Sequence, residues 1–337
     1  MITKAKVIGS NVSYETYSAQ DPEIKRGHPQ FSMSRGELVN CAVNPARWLA
    51  GFKLDDESTP STTWGQLIDC LLTSPVKFSE NFAVTPETYP DKKTGEQKPW
   101  TFAANFCKEW REDHRGKTII KADAMLDAAA AVKAIEANSM VKELFAVSKK
   151  QVLVIGFWED EATGIQVPIR GLLDLVPPND HAIFGKWLGD FKTARNGNPA
   201  TWDRVISDSA YDLQAALYMD LFTAATNEDR VDFVHVVQEN VFPFHVVSPL
   251  PAMSAEFLSW GRTKYRAALA LYCQCLSTGV WPSFAPVGMQ FGATQIIGPE
   301  NVWSYKSMAG AAEFRPPVER EEQDTKPATE IPFDNIP

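Results

Sequence analysis

Gln166–Val176 (QVPIRGLLDLV) and Phe184–Thr193 (FGKWLGDFKT) are two apolar, β-rich runs parted by Pro177-Pro178-Asn179-Asp180, and their reading decides the fold. Runs of this composition between turn formers read as neighbouring strands. Each carries an aspartate late in its length, Asp174 and Asp190, sixteen positions apart. Strand residues two apart share a face, so Asp190 and Lys192 point one way and Phe191 the other. If the two strands pair as a hairpin, Asp174 approaches Asp190. Two converging carboxylates repel unless a divalent cation sits between them, and hard oxygen donors favour Mg²⁺ or Mn²⁺. An ammonium beside them can hold or deprotonate an attacking water while the metal stabilises charge on a phosphate. The pattern points to phosphodiester hydrolysis.

An acid-x-Lys triplet by itself is cheap. The chain also holds Glu23-Ile-Lys25, Asp91-Lys-Lys93, Glu96-Gln-Lys98 and Asp324-Thr-Lys326. Only the one at Asp190 lies inside an apolar strand with another strand-borne Asp upstream and a helix following. Charges buried there without metal or partner would cost several kcal/mol each.

Outward from these strands, Gln151–Trp158 (QVLVIGFW) reads as a third strand, and Val231–Gln238 and Val241–Val247 as two more. Asp203 to about Ala225 predicts one long helix, and Ser254–Leu276 a closing helix. Upstream, Ser34 is an N-cap candidate for a helix broken at Pro45. Another helix covers about Thr62–Leu72, and Asp123 reads as the N-cap of an alanine-rich helix to about Ala137. Residues 76–100 predict a surface loop. The sum is an α/β fold with a central mixed β-sheet flanked by helices. The expected organisation is an irregular N-terminal arm over 1–30, one domain over 31–315 and a disordered acidic tail over 316–337.

Composition narrows the class. At 337 residues with 44% hydrophobic content, the chain can bury a large core. No run approaches the roughly 18 apolar residues of a membrane span, and Met1 is followed by no signal-peptide core, which predicts a cytoplasmic protein without a membrane partner. Five scattered cysteines argue for reduced thiols, and the CxC at Cys273 and Cys275 has no further pair to complete a metal site. The net charge of −9 disfavours a nucleic-acid partner at first sight, but residues 319–337 carry −4 of it. A body at −5 can still hold a basic groove.

The order Gly65-x-x-x-Asp69, Gly171-x-x-Asp174, Asp190-Phe-Lys192 and Gln214-x-x-x-Tyr218 resembles the RecB-type branch of the PD-(D/E)xK nucleases. More narrowly it resembles the nuclease domain of RecE (exodeoxyribonuclease VIII) and phage recombination exonucleases. The likeness spans about residues 31–280. It implies a restriction-endonuclease-like core. Asp174, Asp190 and the Phe191 backbone carbonyl would be metal ligands, and Lys192 the base that orients water. Gln214 and Tyr218, one helical turn apart, would support the site or contact the DNA backbone, with Tyr211 on the same face. The family usually has His where this chain has Asp69. Aspartate also binds Mg²⁺, but adds charge to a site already holding two carboxylates.

The resemblance further implies Mg²⁺-dependent digestion of linear double-stranded DNA from 5′ ends, leaving 3′ single strands for an annealing protein or another recombination or replication protein. It also implies a ring-shaped homo-oligomer. Arg35, Arg47 and Arg170 are candidates for contacts to DNA phosphate. The tip Glu330-Ile-Pro-Phe-Asp-Asn-Ile-Pro337 mixes acids with Ile331, Phe333 and Ile336 and suggests a docking peptide for such a partner. Two readings compete: a catalytically silent DNA-end-binding scaffold, which Asp69 keeps open, and a single-strand or flap nuclease.

Overall fold

The computed structural model describes residues 1–51 and 59–283. The chain opens with β1 (Ile2–Gly9) and a short helix, α1 (Tyr14–Ser18), where the sequence predicts an irregular arm. That expectation is corrected: β1 is the outer strand of the main sheet, so the first residues belong to the domain. None of its side chains is buried, and they include Lys4 and Lys6, the charges that blunt sheet edges and erase an alternating apolar signal.

Helix α2 (Arg35–Val43) begins as predicted, with Ser34 accepting from the Glu37 N–H. Asn44 ends it and caps α3 (Pro45–Leu49), so Pro45 starts a new helix. Helix α4 (Pro60–Thr73) is held by a reciprocal capping box between Thr59 and Thr62. The predicted loop over 76–100 is a compact insert instead. A 3-10 turn (Pro75–Lys77) and α5 (Phe78–Asn81) lead into β2 (Phe82–Val84), β3 (Thr88–Pro90) and β4 (Gln97–Pro99). Helix α6 (Asn105–Asp113) follows, and β5 (Thr118–Ile120) pairs in parallel with β2. Three-residue strands are too short to show a period, which is why the sequence reads as loop. Helix α7 (Ala122–Ala137) places Asp123 in its first turn, where a negative charge favours the dipole, and Lys121 at the cap position. Helix α8 (Ser139–Val147) completes this region.

The central strands are β6 (Lys149–Glu159), β7 (Gln166–Val176) and β8 (Trp187–Ala194). The helix predicted to begin at Asp203 is two: α9 (Pro199–Asp208) and α10 (Tyr211–Thr226), separated where Ala210 takes the left-handed conformation (φ +52°). No Gly or Pro marks this break. β9 (Asp232–Glu239) follows, and α11 (Ala255–Thr278) closes the domain on Ser254 as predicted. Val241–Val247 is not a strand. It turns, with the Phe244 N–H donating to the Val241 carbonyl at 2.7 Å and Phe244 at φ +60°, and only Val246 forms an isolated bridge to Gln238.

The sheet order is β1-β6-β7-β8-β9, antiparallel except for the parallel pair β8–β9, so the predicted mixed sheet is present. Helices cover both faces. On one, Val154, Ile169 and Leu188 pack against Leu217 and Leu221 of α10, with Leu269 of α11 in the same cluster. On the other, Leu175, Phe191 and Val236 pack against Ile68 of α4, Ala128 of α7 and Leu144 of α8. Burial on both faces explains why these strands read as continuous apolar runs. Among the described residues no helix is long and apolar enough to cross a membrane. All five cysteines are free and buried.

Candidate active site

The acidic centre is built where β7 and β8 separate. These strands share one register pair, Leu175 with Gly189. Beyond it the Phe191 N–H donates to Asp174 Oδ2 at 3.0 Å, so a side-chain carboxylate takes the place of a ladder carbonyl. Asp174 is thereby fixed by the residue lying between Asp190 and Lys192. Phe191 itself turns to the opposite face and meets Phe145 edge-on, as strand alternation predicts.

Asp190 is 1% exposed. Its Oδ1 accepts from Gln214 Nε2 at 2.8 Å, and its Oδ2 forms an ion pair with the Lys192 ammonium. Lys192 also lies over the Tyr211 ring, 4.7 Å from its centroid. Burial works against the Lys192 charge, but Asp190, Tyr211 and Asp174 together hold its pKa above the ordinary value. Lys192 is therefore an ammonium in this arrangement. It can hold a water or a phosphate oxygen by donating to it.

Asp69 reaches the same cleft from α4, and both its oxygens accept from Gln151 Nε2 at 3.2 Å. Burial first, and the Asp190 charge against the opposing pull of Lys192, raise its pKa to about 6. Asp174 is raised well above the carboxylate range, by burial and then by Asp190 and Asp69. The three acids thus sense one another across the cleft.

Tyr218 stands one turn beyond Gln214 and fits because Gly171 on β7 has no side chain: a Cβ there would lie 3.0 Å from the Tyr218 ring. Tyr218 and Tyr17 of α1 both line the cleft, and burial raises the pKa of both hydroxyls. Tyr17 and Gln151 were not among the sequence candidates. Neither carries a local signal, since Tyr17 lies in a stretch that reads as irregular and Gln151 has nothing to set it apart from other strand residues. His235 was also missed. It sits opposite Asp190 in the β8–β9 register, with Nε2 3.9 Å from Asp190 Oδ2. Trp202 Nε1 donates to its Nδ1 at 3.2 Å, which leaves the proton of a neutral ring on Nε2, toward Asp190. Burial lowers the His235 pKa to about 4, keeping the ring neutral.

The arginine candidates are placed elsewhere. Arg170 is buried, donating to the Ala19 carbonyl at 2.7 Å and the Ser18 carbonyl at 3.3 Å, so it anchors α1 instead of facing the cleft. Arg35 donates to the Ser209 carbonyl, left over at the end of α9, and lies against Tyr211. Arg47 is exposed on α3, away from the cleft lining. Ile331, Phe333 and Ile336 lie outside the described residues.

The cleft has a volume of about 710 Å³, and Asp69, Asp174, Asp190, Lys192, Tyr211 and Gln214 all line it. The donor set fits a hard divalent cation. The Asp69, Asp174 and Asp190 carboxylates are buried facing one another, with the Lys192 ammonium beside Asp190 to offset them. Among the described residues no three acidic, histidine or thiol groups form a closed metal cage. Mg²⁺ needs none, since it typically takes one or two carboxylates, several waters and substrate phosphate. Asp174 and Asp190 would hold it, with Asp69 at their flank.

Fold and site together define a protein of the PD-(D/E)xK nuclease superfamily. The model of the PDDEXK-like domain of unknown function (DUF3799) matches residues 32–286, and the chain belongs to that family. Nucleases of this superfamily generally use divalent metal ions. A crystal structure of a protein from Eubacterium rectale named a "putative exonuclease" is similar in fold. Its TM-score is 0.51 at 15% identity, over 82% of this chain and 90% of that one. No curated protein sequence matches the chain.

The Asp69 shift has a measurable consequence. Its folded pKa of about 6 exceeds the roughly 3.9 of an unfolded Asp, so the folded state holds the proton more tightly. Its contribution to stability is lost as pH rises from about 4 to about 6 and stays lost above. Asp69→Asn keeps an acceptor for Gln151 and removes this dependence. In EDTA the variant should match the parent near pH 4 and exceed it by about 1–2 kcal/mol at pH 7, read from denaturant melts. A constant difference across that window would place the titration elsewhere.

Proposed function

We propose that the protein is a Mg²⁺-dependent exodeoxyribonuclease of the cytosol that hydrolyses linear double-stranded DNA from 5′ ends and leaves 3′ single strands for a recombination partner. The observation that carries the reading is the convergence of Asp174, Asp190 and Lys192 on one cleft, braced by Phe191 N–H and Gln214. Membership of a PDDEXK-like family supports the nucleolytic part. The 5′ direction, the ring-shaped oligomer and the annealing partner rest on the resemblance to RecE-type exonucleases. Mn²⁺ would serve the same ligands.

When bound, the metal supplies Lewis acidity toward a phosphate oxygen and lowers the pKa of a coordinated water. The chain's own groups orient. Gln214 fixes the Asp190 carboxylate, and Phe191 N–H fixes that of Asp174. Lys192, held between Asp190 and the Tyr211 face, presents N–H groups to the attacking water and the phosphate. Neutral His235 faces Asp190 without adding charge.

The test uses linear duplex labelled at one end and covalently closed duplex, with Mg²⁺ or EDTA, for the parent, Asp190→Ala and Lys192→Ala. Expected is metal-dependent loss of the linear DNA alone, reduced on the order of 10²–10⁴-fold in Lys192→Ala and at least as far in Asp190→Ala, with the label reporting direction. Cutting of the closed circle would make the protein an endonuclease. A competing reading, a DNA-end binder that does not cleave, is favoured by Asp69 standing where the family usually has His. Binding without degradation in Mg²⁺ and Mn²⁺ would establish it.

A further inference from the structure

The cleft does not end at the carboxylates. It follows one face of α4 and the turn after it: Gly65, Asp69, Thr73 and Lys77 recur at intervals of four and all line it. Beyond the helix end the walls come from Ser74 and from the insert, through Asn81, Phe82, Gly116 and Thr118. Lys77 and Lys192 are the two Lys or Arg side chains among the described residues that line this cleft. Lys192 is committed to Asp190, whereas Lys77 is half-buried and its side chain forms no hydrogen bond or ion pair among the described residues. The facing wall carries Glu15 of α1, whose charge and that of Lys77 both reach Cys70. The insert is also net basic in an acidic chain. Residues 75–121 hold nine Lys and Arg against seven Asp and Glu, a net +2 where the whole carries −9.

We propose that Lys77 binds a backbone phosphate of the strand being cleaved, a contact point set apart from the scissile position. This rests on the nucleolytic reading of the site and names where the strand runs. A half-buried lysine whose side chain has no partner among the described residues, in a cleft whose other end is acidic, suits an anion. A polynucleotide places anions at fixed intervals along such a path. Helix and 3-10 rise put Lys77 at most about 14 Å beyond Asp69, since Ser74 breaks the axis between the two turns. At roughly 3.4 Å per stacked nucleotide, that is about four nucleotides from the reacting phosphate, and fewer if the strand is stretched. The contact is electrostatic and reads no base.

The experiment measures binding of fluorescein-labelled single-stranded and tailed duplex oligonucleotides, with 5′-phosphate or 5′-hydroxyl ends, to Asp174→Asn protein in Mg²⁺ across a salt series. Lys77→Ala is compared with Lys93→Ala, an exposed lysine of the same insert outside the cleft. Each phosphate contact contributes ~0.7 (single strand) or ~0.9 (duplex) to the slope of log affinity against log salt. Lys77→Ala should lower the slope by that amount with every sequence and either 5′ end, with an unchanged melting temperature, while Lys93→Ala leaves the slope as it was. An unchanged slope in Lys77→Ala overturns the inference. A change seen only with 5′-phosphorylated ends overturns the internal contact in favour of a terminal one. If the parent protein binds no DNA, the nucleolytic reading fails and this one with it.

Discussion

Asp174→Asn is expected to lower turnover on linear DNA by on the order of 10³-fold while making the protein more resistant to unfolding in EDTA. The two effects have one cause. Asp174 is pushed well above the carboxylate range by burial and by its neighbours Asp190 and Asp69, so its charge is costly in the folded protein near neutral pH. An amide keeps the acceptor for the Phe191 N–H, 3.0 Å away, and discards the repulsion. A gain in stability follows near neutral pH, where the folded protein would otherwise have to carry that charge. The same charge is what a hard cation would bind, and losing about 4 kcal/mol of transition-state stabilisation corresponds to the rate effect. Denaturant melts in EDTA and Mg²⁺, beside a single-turnover assay, check both halves. If the variant is destabilised, Asp174 is not held against its neighbours' charge. Full activity would remove it from the reaction.

Gly261→Ala should destabilise the protein by about 3 kcal/mol and cut activity by roughly 10²-fold, although Gly261 touches no carboxylate of the site. On helix propensity alone the substitution would stabilise α11 by about 1 kcal/mol. Packing reverses the sign. A Cβ at Gly261 would lie 2.0 Å from the Asp212 carbonyl oxygen and 2.8 Å from the Ala216 Cβ, so α10 and α11 would have to part. The obstruction is largely backbone, which cannot rotate away. Helix α10 carries Tyr211, Gln214 and Tyr218, and a shift of about 1 Å there loosens Gln214 from Asp190 and Tyr211 from Lys192. Thermal melts and kcat on linear DNA would measure the two together. A stabilised, active Gly261→Ala would mean that the two helices separate at little cost.

The strand pair around Asp174 and Asp190, the helices that start at Ser34 and Ser254, and the Asp190-Phe191-Lys192 triplet were legible in the chain. Each is written in local periodicity, a cap residue or a spacing of two, and needs no distant partner to be recognised. The edge strand β1 was not legible, because it is defined by pairing with residues more than 140 positions away and no side chain of its own is fully buried. The break at Ala210 left no Gly or Pro, and Arg35 from a remote helix satisfies the carbonyl it exposes. Likewise Arg170 reads as a free cation until α1 folds over it, and Gln151, Tyr17 and His235 become site residues only when β6, α1 and β9 arrive beside Asp69, Tyr218 and Asp190. The sequence by itself determined which acids and which amine stand together on the two adjacent strands, since a spacing of two and a strand pair are local properties. Only the tertiary structure decided which polar groups brace that chemistry and which side chains reach the cleft, because burial and long-range contact are properties of the packed chain.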